Sequence, residues 1–79
     1  MLKDWKKERH PNERGEIEFW RYKDDYGFVS IYKAEKDSPY YKEGKFFSVE
    51  ISAFQDLKSK QFKTKPEAMR FAKEYMRTH

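Results

Sequence analysis

The sequence predicts an α+β fold: a three- to four-stranded antiparallel sheet with one C-terminal helix packed on one face. Three observations predict it. In Glu16–Lys23, Phe28–Lys33 and Lys45–Phe54 apolar and polar residues alternate with a period of two, the pattern of half-buried strands. From Lys65 to Arg77 the period lengthens, and Ala68, Phe71, Ala72, Tyr75 and Met76 fall on one stripe, which is helical spacing. Seven Phe, six Tyr and two Trp make 19% of the chain aromatic. Each such ring buries about 150–250 Å², enough to close a core that so short a chain otherwise leaves thin.

The elements follow in order. Leu2–Arg9 has room for two turns of helix, or stays a flexible arm unless Trp5 docks. Pro11, Asn12 and Gly15 then break the chain. Residues 1–15 therefore read as an N-terminal arm and residues 16–79 as a single sheet-plus-helix domain. In the first strand, Glu16–Lys23, Ile17 and Phe19 share one face, while Glu18, Trp20 and Tyr22 share the other. Asp24-Asp25 with Gly27 form a tight turn, the glycine supplying positive φ. Phe28–Lys33 returns with Val29 and Ile31 on one face and Phe28, Ser30 and Tyr32 on the other. Ala34–Gly44, with Pro39 and dense charge, reads as a loop. Lys45–Phe54 alternates again, Gln55-Asp56 turns, and Lys58–Lys63 makes a short fourth strand whose lysines guard an edge. Thr64-Lys65-Pro66-Glu67 is a capping box, with proline in the first turn where its missing N–H costs nothing. The helix stripe then covers Ile17, Phe19, Val29, Ile31, Phe47, Val49 and Ile51. Trp20, Tyr22, Phe28, Tyr32 and Phe46 are left on the second face.

Charge is unevenly spread. The chain carries a net +4. Residues 1–15 hold five basic and three acidic side chains, residues 16–44 five and seven, and residues 45–79 eight and four. Lys58, Lys60, Lys63 and Lys65 occur with no acid from Leu57 to Pro66. Such polarisation is the electrostatic footprint of a polyanion-binding surface, and it also describes a solvated basic rim that keeps a protein soluble.

Several chemistries are excluded or disfavoured. With no cysteine there is no disulfide framework, no thiol nucleophile and no cysteine-bound metal. The missing staples favour a reducing compartment, the cytoplasm. No apolar run approaches the roughly 20 residues of a membrane helix, so no membrane partner is expected. His10 lies in the charged arm and His79 is the last residue, neither rigidly held. There is no nucleophile-elbow serine and no glycine-rich phosphate loop among three glycines. Asp24-Asp25 reads as turn chemistry before a cation site. The expectation is a protein that is not an enzyme and needs no cofactor or metal.

Three readings of the aromatic second face compete: burial under the arm or in a homodimer, a stacking platform for unpaired bases, and a protein-binding surface. Glu16, Glu18 and Glu50 count mildly against a phosphate-bearing ligand there.

Phe46–Met76 runs strand, short turn, basic strand, then Phe62-Lys63-Thr64-Lys65-Pro66-Glu67-Ala68 at the helix entry. This resembles the arm-site DNA-binding domain of phage and transposon tyrosine integrases, in which three antiparallel strands are backed by one C-terminal helix and the sheet enters the major groove. About 30 of the 79 residues carry the likeness; Gln61 stands where that family has glycine, and the Ala34–Gly44 connection is longer. Phe47-Ser48-Val49-Glu50-Ile51 also looks like a strand of double-stranded RNA-binding domains, whose first helix has no counterpart here.

The expected function is therefore a small non-catalytic nucleic-acid-binding protein, with DNA preferred over RNA. Lys58, Lys60, Lys63, Lys65, Arg70, Lys73 and Arg77 would hold phosphates, and Trp20, Tyr22 and Tyr32 would contact bases or a groove. The alternative is a small interaction module, an inhibitor or adaptor of phage or mobile-element type, that binds a host protein through the aromatic face or a free sheet edge.

Overall fold

The computed structural model of the chain describes residues 4–8, 16–24 and 26–79. Seven elements follow in order: β1 (Trp5–Lys7), β2 (Glu16–Tyr22), β3 (Phe28–Lys33), α1 (Pro39–Lys42), β4 (Phe47–Ala53), β5 (Asp56–Phe62) and α2 (Lys65–Thr78). The strands form one antiparallel sheet in the order β1-β2-β3-β4-β5, each beside its neighbour in sequence. The α+β class and the C-terminal helix are as expected, but the sheet has five strands. The additional one is β1, where a helix or free arm was expected. Trp5 pairs with Tyr22 across the ladder and is only 6% exposed, so burial of one indole fixes a three-residue strand. The chain breakers Pro11, Asn12 and Gly15, together with Leu2, His10 and Asp25, lie outside the described residues.

The core sits between α2 and one face of the sheet. Val29, Ile31, Val49 and Ile51 are buried from the strands, and Ala68, Ala72, Tyr75 and Met76 from the helix. Two alanines on the α2 stripe let its backbone approach the sheet closely. Thr64 caps α2 as the sequence implied: its Oγ1 accepts from the Glu67 amide and donates to the Glu67 carboxylate.

The phase of β2 differs from expectation. Trp20 stands opposite Val29 and Glu18 opposite Ile31, so Trp20, Tyr22 and Glu18 are on the helix side and Phe19 is on the open side. The cause is the turn. The Tyr22 amide donates to Gly27 O at 2.8 Å, leaving four residues in the connection; one residue more would have paired Phe19 with Ile31. A slip of one residue exchanges every side chain between faces. Ile17 still packs against the core, because a bulge between Glu16 and Glu18 shifts the register there.

Smaller differences have equally local causes. Pro39 starts a short helix within the expected loop: Ser38 caps it, Pro39 sits in its first turn, and Gly44 at φ +80° ends it. Phe46 lies off the strand, edge-on to Tyr41 at 4.9 Å. The β4–β5 turn is Phe54-Gln55, both at positive φ (52° and 68°), one residue earlier than expected. Gly27 is needed for space and not for φ: a Cβ there would lie 2.9 Å from the Ala53 Cβ.

Candidate nucleic-acid interface

The seven predicted phosphate ligands lie on β5, on α2 and in the short connection between them. On β5 alternation sends Leu57, Ser59 and Gln61 to the open face and Lys58, Lys60 and Phe62 to the helix side, opposite Ile51, Val49 and Phe47. Lys58 Nζ sits 5.7 Å from the centre of the Tyr75 ring, and Lys60 Nζ 5.4 Å from that of Phe71. Both lysines are exposed. Their stems can run along the aromatic side of α2 with the ammonium groups in water. Lys63 is exposed in the connection. Arg70, Lys73 and Arg77 follow at spacings of three and four along the outer side of α2, all exposed.

Two of the seven are engaged with carboxylates. Lys65 Nζ is 3.4 Å from Glu18, and Arg77 is 3.2 Å from Glu74. Glu67 and Glu74 interleave with the cations, lining with Arg70, Phe62 and Phe71 a shallow groove of about 270 Å³. The array is thus basic but not free of acid.

The three predicted aromatic contacts do not share a surface. Trp20 is 6% exposed beneath the helix layer, with Lys7 Nζ 5.8 Å from its ring. Tyr22 is partly buried on the same side, its ring 5.0 Å from Trp5 and 4.9 Å from Phe54. Tyr32 alone is on the open face, between Glu16 and Ser48.

Sequence reasoning missed two aromatic or aliphatic members of the open face, Phe19 and Leu57. Phe19 stacks on Phe28 at 5.6 Å and 15°, and Leu57 is 84% exposed at the start of β5. The signal that finds Phe19 is turn length. Both phases of β2 carry bulky apolar groups, so periodicity by itself does not choose between them.

Glu18 is the most constrained carboxylate described. Its side chain is 11% exposed, with Lys7 at 2.7 Å and Lys65 at 3.4 Å. Burial pushes its pKa up, but hydrogen bonds and charge from the two lysines outweigh this and hold it below the ordinary value of 4.5. At the other end of α2, burial and then the hydrogen bond to Asp56 push the Tyr75 phenol up to about 12. Neither is a nucleophile or a proton donor poised at neutral pH. Among the described residues no group of three His, Asp or Glu is placed to hold a metal, and no helix is long and apolar enough to cross a membrane.

Comparison with protein-family models, curated proteins and solved structures returned no match.

Proposed function

We propose that this is a small non-catalytic nucleic-acid-binding protein that grips the phosphate backbone through its α2–β5 side. The observation that carries the reading is the partition of charge between the two layers. Lys58, Lys60, Lys63, Arg70 and Lys73 are exposed on or beside the helix layer, where they outnumber Glu67 and Glu74, whereas on the open face Lys6 and Arg21 are balanced by Glu16 and Glu50. Lys65 and Arg77 contribute less, because each already has a carboxylate partner. Trp20 and Tyr22 drop out as base contacts, since they are packed on the helix side. Cations without such stacking rings suit a duplex, whose phosphates are regularly spaced, better than splayed single strands. Duplex DNA is the preferred ligand, in line with the integrase likeness.

The test is a salt titration against duplex and single-stranded oligonucleotides. Five phosphate contacts give a slope of log K against log salt of about −4 to −5 on duplex, near −0.9 per contact. Changing Lys58, Lys60 and Lys63 together to Glu should flatten it and weaken binding to every sequence alike. A salt-independent response of the parent protein would end this reading.

A second reading, a protein-binding module, draws on the half-exposed Phe19, Phe28 and Tyr32 of the open face. Binding by strand addition at β5 is disfavoured, because that edge strand carries the exposed lysines Lys58 and Lys60.

A further inference from the structure

We infer that the end of the sheet where Tyr26 and Phe54 stand exposed is a stacking site for unpaired bases, so that the ligand is a duplex carrying a single-stranded tail. The inference rests on the phosphate-binding reading of the α2–β5 side and adds what lies beyond Lys58. Antiparallel order brings the β2–β3 and β4–β5 turns to the same end of the sheet. The two turns touch: a Cβ at Gly27 would lie 2.9 Å from that of Ala53. Phe28 pairs with Ser52, and the same register carried two residues further sets Tyr26 level with Phe54. Among the described residues four large hydrophobics are exposed, and three lie here: Tyr26 at 88%, Leu57 at 84% and Phe54 at 47%.

Rigidity, continuity with the cations and charge balance point to a base as the partner. Phe54 holds left-handed backbone at φ 52°, which a residue with a Cβ rarely adopts, in a turn where Asn-Gly is the favoured pair. Its ring is fixed edge-on to Tyr22 at 4.9 Å and to Trp5 at 6.2 Å, and is stacked with His79 at 5.7 Å and 24°. Tyr26 is tied at its backbone, where its amide donates to Asp24 Oδ1 at 2.9 Å. Groups already held in place lose little freedom when a flat partner lies on them.

The rings lead to the phosphate side. His79 stacks on Tyr75 at 4.1 Å and 14°, and Lys58 Nζ is 5.7 Å from the Tyr75 ring. A file of rings thus runs from Phe54 through His79 and Tyr75 to Lys58. A strand that leaves the duplex beyond Lys58 meets this end of the molecule next. The rings stand past the end of the lysine row and not within it, so the paired part of the ligand binds as proposed above. Among the described side chains of the two turns and the start of β5, Lys23 and Lys58 are matched by Asp24 and Asp56. Stacking here should therefore strengthen binding without steepening its salt dependence.

Three forms of one duplex of about 12 base pairs test this by fluorescence anisotropy: blunt, with a tail of about four adenines, and with an abasic tail of equal length. The abasic tail carries the same phosphates and no bases. The adenine tail should bind about tenfold tighter than the abasic one, the effect of one stacked base, with the same slope of log K against log salt. Tyr26→Ala should reduce that preference to within about twofold, and so should Phe54→Gly, which relaxes the turn as it removes the ring. Tyr26→Phe should keep it. Tyr26 is almost wholly exposed, so its variants should fold and bind the blunt duplex as the parent does. Changing Lys58, Lys60 and Lys63 together to Glu should weaken all three forms alike. Equal affinity for the adenine and abasic tails, with salt-dependent binding of the blunt duplex intact, overturns this inference and leaves the phosphate reading standing. A preference that survives both Tyr26→Ala and Phe54→Gly also overturns it, because the bases then stack elsewhere. Salt-independent binding of the blunt duplex overturns the phosphate reading, and this inference with it.

Discussion

Two residues show how single side chains hold the layers in place. Glu18 ties β1 and α2 to β2 through Lys7 and Lys65. Because its pKa is lowered in the folded state, the stability it supplies is present above the unfolded value near 4.5 and is lost as pH falls through the lower folded value. Acid unfolding followed by circular dichroism should show this loss, and Glu18→Gln should blunt it while lowering stability at neutral pH. Gly27 acts through space. A methyl at that position would meet Ala53 at 2.9 Å, so Gly27→Ala should cost about 1–3 kcal/mol by overpacking, measurable by urea denaturation. Had Gly27 mattered for φ, the cost would track the turn conformation and not the facing Ala53.

The β4–β5 hairpin makes a prediction at the scale of an element. Its two-residue turn needs positive φ at both positions, the geometry that Asn-Gly favours, yet it holds Phe54 and Gln55 at 52° and 68°. Phe54 is compensated by its ring contacts with Tyr22 at 4.9 Å and Trp5 at 6.2 Å. Gln55 is exposed and has no such ring contact to offset it. Gln55→Gly should therefore raise stability by about 1 kcal/mol, seen as a higher denaturation midpoint with an unchanged m-value. This element also exposes a limit of periodicity. The alternation in β4 and β5 is readable, but the turn falls one residue from its expected place because phenylalanine is an improbable resident of left-handed backbone.

The whole molecule is a two-sided plate. One side is covered by α2 and rimmed with lysine and arginine; the other is an aromatic and serine surface with scattered charge. The proposed function assigns phosphate to the first side, so charge reversal at Lys58, Lys60 and Lys63 should flatten the salt dependence of oligonucleotide binding.

Local signals in the sequence determined the C-terminal helix, its cap, the strands β2 to β5 to within a few residues, and the identity of the exposed cations. Each rests on interactions between residues a few positions apart: a capping box, a period of two, a period near 3.6. The tertiary structure decided which face each aromatic joins and that Trp5 belongs to a strand. Trp5 pairs with a residue 17 positions away, and no local pattern encodes that contact. Trp20 and Phe19 are both bulky and apolar, so hydrophobicity permits either inside; the length of one turn selects Trp20. That selection removed two of the three expected aromatic contacts and placed Phe19 on the open face, because in a sheet a shift of one residue is a change of side.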